Sequence, residues 1–171
     1  WTLQITAAIS PDGTYQVVAT ATDTAGNPSV DASTGEVVVD TDVPGLSSVV
    51  IDSDNAETAA TAETATNGDV VTLTIVGSET LSAGAGTVAC AFTLDSTAAT
   101  NADTVANTGG NTWTCVFDLD DDDAEAAVAF TISFDDLAGN AGVAVTAVSD
   151  GSSVTLDDTV PTLSSVSIDS D

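Results

Sequence analysis

Carboxylates and hydroxyls are the only abundant side chains in this sequence that could do chemistry, and the carboxylates arrive in pairs. Asp40/Asp42 and Asp52/Asp54 are D-x-D pairs, Asp157 and Asp158 are adjacent, and Asp169/Asp171 repeats the D-x-D spacing. On a strand, residues i and i+2 leave the same face, so the two carboxylates of a D-x-D pair can converge on one hard cation. Ca²⁺ takes roughly six to eight oxygens of this kind at about 2.4 Å. Two D-x-A-G-N stretches add Asp23 with Asn27, and Asp135 and Asp136 with Asn140. These acids are equally ordinary as solvated turn residues, since Asp and Asn form loops readily. A third cluster, Asp118 with Asp120 to Asp123, supplies Asp118, Asp120 and Asp122 at the first alternate positions of an EF-hand loop. Asp123 then stands where Gly is required and Ala129 where the bidentate Glu belongs, so the run reads as an acidic turn with at most a weak surface Ca²⁺ site.

The balance of charge sets what else is feasible. Among 171 residues there are 22 Asp and 5 Glu against no Lys, Arg or His, a formal charge of −27. Nothing here can neutralise phosphates, which argues against nucleic acid and anionic membrane surfaces as partners. Without His or Lys, catalysis would have to rest on two carboxylates, and with only seven aromatic residues there is little to stack a sugar; the chain is not expected to be an enzyme. No apolar run approaches the roughly 18 residues that span a bilayer. With 43% hydrophobic residues the chain can nevertheless bury a core.

The elements that must position the acids are strands. YQVVATATD, DVVTLTIVG, GTVACAFTLD, NTWTCVFDLD, VAFTISFDD and GVAVTAVSD alternate apolar and polar residues at period two. Asp12-Gly13, Asn67-Gly68, Gly109-Gly110 and Asp150-Gly151 supply turns. Strands are expected near 46–52, 69–76, 87–94, 103–107, 112–119, 127–134 and 142–157, the last broken at Asp150-Gly151, and the Ala-rich stretch 56–65 reads as a loop with at most one helical turn. The inward set is Val71, Leu73, Ile75; Val88, Cys90, Phe92, Leu94; Trp113, Cys115, Phe117, Leu119; and Val128, Phe130, Ile132, Phe134. Cys90 and Cys115, the only cysteines, are either a disulfide or two buried thiols.

The sequence also repeats itself. Residues 40–54 (DTDVPGLSSVVIDSD) match 157–171 (DDTVPTLSSVSIDSD) at 11 of 15 positions at an offset of 117, and 12–27 aligns with 125–140 at an offset of 113. Residues 1–42 are then expected to be the C-terminal half of one unit, 43–159 a complete unit, and 160–171 the first strand of a third. The segments DGTYQVVATATDTAGN, VDTDVP and FTISFDDLAGNAG…DGSSVTLDDTVPTLSSV resemble the bacterial-type immunoglobulin-like repeats found in tandem in large secreted and cell-surface proteins. Asp12-Gly13-Thr14-Tyr15 is similar to the tyrosine corner of such domains, which the complete unit lacks because Val128 takes the place of Tyr15.

The resemblance implies an all-β, immunoglobulin-like β-sandwich of about seven strands in a tandem array. It further implies an extracellular or cell-surface location, neighbouring repeats as partners and Ca²⁺ between domains as the cofactor. The expected function is a structural spacer or stalk; the alternatives are a glycan- or cell-binding adhesin module and a self-assembling filament subunit.

Overall fold

The computed structural model describes residues 9–31, 34, 35, 37–55, 61–84, 86–99 and 104–170, and these are all-β, with no helix among them. Thirteen strands follow in order: β1 (Gly13–Tyr15), β2 (Thr20–Thr22), β3 (Pro28–Val30), β4 (Val37–Val39), β5 (Leu46–Ser53), β6 (Ala62–Ala65), β7 (Val70–Gly77), β8 (Val88–Leu94), β9 (Thr97–Ala98), β10 (Thr104–Gly109), β11 (Thr112–Asp118), β12 (Val128–Phe134) and β13 (Ser153–Leu156).

Period-two alternation becomes burial directly. In β7, Val71, Leu73 and Ile75 are fully buried while Val70, Thr72, Thr74 and Val76 are half-buried on the opposite face. A four-stranded sheet in the order β10-β11-β7-β5 and a three-stranded sheet β12-β8-β9 enclose one core. Every residue of the expected inward set lies in that core except Val128, which packs at its margin. The Phe92 ring, from β8, stacks on that of Phe117, from β11, at a centroid distance of 5.2 Å. Beside it a Cys90–Cys115 disulfide joins the two sheets, which settles the choice between bridge and free thiols. Turn chemistry is as expected at Gly68, Gly110 and Gly151, with φ of 91°, 57° and 82°. The β8–β9 hairpin instead places Asp95 and Ser96 at positive φ, a conformation that short polar residues tolerate.

Three local expectations need correction. Residues Ala62–Ala65 are not loop but β6, paired in parallel with β13 in the register Ala62↔Ser153 to Ala65↔Leu156. Residues 56–60 of the Ala-rich stretch lie outside the described residues. The stretch 142–152 is not a strand: it touches β12 through an isolated bridge, Ile132↔Val145, and crosses to β5, where Ser149 and Ser152 hydroxyls accept from the Val49 and Ile51 amides. Finally, residues 163–169 form no strand. Leu163, Val166 and Ile168 are 84–99% exposed, although seven of eight residues in 163–170 equal those of β5. A strand is stabilised by its ladder partner, and this segment has none among the described residues.

Closing a loop of this length (sequence separation 25) contributes about 3.5 kcal/mol by the loop-entropy relation. Replacing both cysteines by Ala should lower the melting temperature by about 10 °C or more in thermal unfolding followed by circular dichroism. An unchanged melt would show that the bridge adds nothing to the core it crosses.

Candidate functional site

The acids converge at the connection between β4 and β5. Asp40, Asp42 and Asp12 bring carboxylate oxygens within 4.8 Å of one another, and Asp40, Glu79 and Asp136 do the same, so Asp40 belongs to both groups. Each arrives by a different local cause. Asp40 directly follows β4, and its Oδ1 accepts the Asp42 amide at 3.1 Å, which folds the D-x-D pair back on itself. Asp12 precedes β1, and its carboxylate takes the Thr41 amide at 2.8 Å and the Thr41 hydroxyl at 2.9 Å.

Glu79 follows β7 at a tight bend, where the Ser78 amide donates to the Gly45 carbonyl at 2.8 Å. A Cβ on Gly77 would stand 2.6 Å from the Glu79 carbonyl oxygen, so only glycine lets the chain close there. Asp136 is buried within the D-x-A-G-N loop. Its Oδ1 accepts the Gly139 and Asn140 amides at 2.7 and 2.8 Å, and its Oδ2 accepts the Asn140 side chain at 2.8 Å. The same Asn140 amide donates to the Asp40 carbonyl at 3.0 Å, tying the connection to the loop.

Charge and donors pull the two central acids in opposite directions. Burial and then the neighbouring Asp40, Asp136 and Asp42 carboxylates raise the pKa of Glu79. Burial also opposes ionisation of Asp136, but the donors from Asn140, Gly139 and Ala138 together outweigh it and hold its pKa below the usual Asp value. The site is a fixed anion beside a crowded one, the setting in which a divalent cation gains most.

The sequence-predicted residues Asp40, Asp42 and Asp136 are brought together here; Asp12 and Glu79 were not among them. Among the described residues, Asp23, Asp52, Asp54, Asp118, Asp120, Asp122, Asp135, Asp157 and Asp158 join no such group of three. Four of them, Asp23, Asp54, Asp120 and Asp157, accept backbone amides instead. Asp54 Oδ1 takes the Val70 amide at 2.7 Å, and Asp120 Oδ1 takes the Asp122 amide at 2.9 Å, closing the acidic turn on itself. Asp135 is pinned through its main chain to Thr87 and Ser82.

Asp23 and Asn27 form the same loop as Asp136 and Asn140. Asp23 Oδ1 accepts the Asn27 amide at 2.8 Å and Oδ2 the Asn27 side chain at 2.8 Å, and the Asn27 side chain is the first cause of a lowered Asp23 pKa. The exit after β13 likewise copies the exit after β4. Glu125 occupies the place of Asp12 and accepts the Asp158 amide at 3.0 Å and the Thr159 hydroxyl at 2.9 Å, while the Thr159 amide reaches Asp157 Oδ1 at 3.1 Å. The Ala127↔Thr155 bridge has the register of Thr14↔Val38 in β1–β4 once the repeat offsets are applied. The Tyr15 hydroxyl donates to the Pro11 carbonyl, the bond expected of a tyrosine corner.

No family model, curated protein or solved structure matches the chain.

The raised pKa of Glu79 fixes the sign of a pH effect. An acid whose folded pKa lies above its unfolded value, about 4.5, destabilises the fold once pH rises through that window, and the penalty is absent below it. In metal-free buffer, Glu79→Gln should therefore melt higher than the parent at neutral pH, with the difference disappearing in acid. Melting curves collected across that range test this, and a difference that persists at the acid end would contradict it.

Proposed function

We propose that this chain is a length of an extracellular protein built from tandem immunoglobulin-like domains, acting as a structural spacer in a surface stalk, adhesin or filament, with Ca²⁺ stiffening the junctions. The observation that carries this reading is the recurrence of one exit geometry. A carboxylate just before a strand, Asp12 before β1 or Glu125 before β12, clasps the linker that leaves an antiparallel neighbour, β4 or β13, and the Asp that directly follows that neighbour, Asp40 or Asp157, accepts the amide of Asp42 or Thr159. A function that needs one site has no use for the same exit twice, whereas an array needs it at every joint.

The fold supports the domain type. Sheets of four and three strands with a disulfide across their shared core agree with an immunoglobulin-like sandwich. The disulfide also agrees with an exported protein. Mechanically, the D-x-A-G-N loop of one domain reaches the linker of the domain before it through Asn140 and Asp40. A cation held by Asp40 from the linker with Glu79 and Asp136 from the following unit would bridge both bodies and restrict their relative angle. The recurrence favours the spacer over the glycan-binding and filament alternatives, which need a surface rather than a repeated joint.

Ca²⁺ at about one hundred times its dissociation constant should stabilise the folded chain by about 2.7 kcal/mol and raise its melting temperature by several degrees. Small-angle scattering should show a narrower distribution of shapes with Ca²⁺ than with EDTA. Identical melts and scattering in both conditions would overturn the Ca²⁺ part of the reading.

A further inference from the structure

No strand of β1–β4 shares a sheet with β5–β13, and the connection at 40–45 joins the two sets. Within that connection one peptide group is held from both sides. The Asp40–Thr41 peptide is trans, and a planar trans peptide points its C=O and its N–H in opposite directions. Its carbonyl accepts the Asn140 side-chain amide at 3.0 Å, from the unit that follows. Its N–H donates to Asp12 Oδ2 at 2.8 Å, in the part that precedes, and the Thr41 hydroxyl donates to the same carboxylate at 2.9 Å. Asn140 is itself anchored, because its amide also donates to Oδ2 of the buried Asp136 at 2.8 Å. Beyond the peptide the connection stays docked: Pro44 is buried, the Gly45 amide donates to the Ser78 hydroxyl at 3.0 Å, and the Ser78 amide returns to the Gly45 carbonyl at 2.8 Å.

The other exit in the chain shows the same peptide held from one side. At the repeat offset of 117, Asp157–Asp158 corresponds to Asp40–Thr41. Its N–H donates to Glu125 Oε1 at 3.0 Å, as the Thr41 amide does to Asp12. Among the described residues no donor reaches the Asp157 carbonyl, and Pro161, the counterpart of the buried Pro44, is exposed. The backward grip therefore forms at both exits, whereas the forward grip forms where a D-x-A-G-N loop stands beside the connection.

We propose that the Asp40–Thr41 peptide is a clamp that sets the angle between successive units without a cation, with Asp12 and Asn140 as its two positioning residues. The peptide plane contains no soft torsion, so groups bonded to its two edges are held in a fixed relation. The D-x-A-G-N loop is then a receptor for the connection that precedes it, and what it takes is a main-chain carbonyl. Every residue offers that acceptor, so one loop serves each joint of an array while the side chains of the connection vary, as Thr41 and Asp158 do at the two exits. The clamp rests on the reading of the chain as successive units and not on Ca²⁺, which would add to a joint already set.

The test is nuclear magnetic resonance of the whole chain in EDTA, where residual dipolar couplings of the strand amides report how β1–β4 are oriented relative to β5–β13. One alignment tensor should fit both sets in the parent. Asp12→Ala and Asn140→Ala should each separate them, the alignment of β1–β4 falling by about twofold relative to that of β5–β13 as the joint gains freedom. Two controls should keep the single fit. Asp42→Ala removes the same charge while leaving the Asp40–Thr41 peptide bonded on both edges, and Asn27→Ala removes the same side chain from a loop that holds no connection among the described residues. Two tensors in the parent would overturn the clamp and leave the Ca²⁺ reading standing. A single tensor that survives both Asp12→Ala and Asn140→Ala would make the two sets one body, and would overturn the clamp together with the successive-unit reading beneath it. Equal loosening in Asp42→Ala would assign the effect to charge and overturn the clamp as well. Should Asn140→Ala fail to fold, the parent and Asp12→Ala decide the outcome.

Discussion

A chain with 27 carboxylates and no side-chain cation has to meet each negative charge with a backbone N–H, a hydroxyl, an amide or an ion from solution. The loops follow that constraint. Asp136 and Asp23 each gather amides from their own turn and the side chain of an Asn four residues on. Asp54 takes the first amide of β7, Asp69 takes the Thr66 amide, and Glu125 takes the amide and hydroxyl of the exit after β13. Acid placement is therefore a form of turn and terminus capping, repeated at several strand ends. Between β4 and β5 the same device brings too many carboxylates together, and the crowding that lifts the pKa of Glu79 is the cost.

Away from the ends the molecule is held by ordinary apolar burial. The inner faces of β7, β8, β11 and β12 are closed by Val, Leu, Ile and Phe, with Phe92 stacked on Phe117 and the disulfide alongside. Burying charge there would be far costlier than placing it at a solvated turn. Charge at the poles and neutral faces on the sides are two aspects of one solution. In the proposed array the poles become joints that call for a cation.

Much of this was legible because strand burial has period two: the inward residues of β7, β8, β11 and β12 could be named from alternation alone. The paired acids at 40 and 42 and the D-x-A-G-N loop that holds Asp136 were readable as candidate ligands, and the fold does bring them together. Glu79 was not readable, because it stands alone after β7 and only the bend at Gly77 and Ser78 carries it to Asp40. Asp12 was hidden in an Asp-Gly turn, although its alignment with Glu125 at the repeat offset placed an acid at the same point twice. The strand β6 was missed because its parallel partner β13 lies some ninety residues away, and four residues of Ala, Glu and Thr carry no strand signal of their own. The stretch 142–149 failed in the opposite sense: it alternates like a strand but is used to cross from β12 to β5, where serine hydroxyls meet the β5 amides.

The central claim is that the excess of acids at the β4–β5 connection exists to hold a cation. Calorimetric titration of the metal-free chain with Ca²⁺ at physiological ionic strength addresses it most directly. The account predicts saturable binding that is lost in Asp40→Ala, the residue common to both carboxylate groups, and kept in Asp120→Ala, whose carboxylate only closes a turn. Binding that is absent, or that is equally strong in both variants, would contradict it.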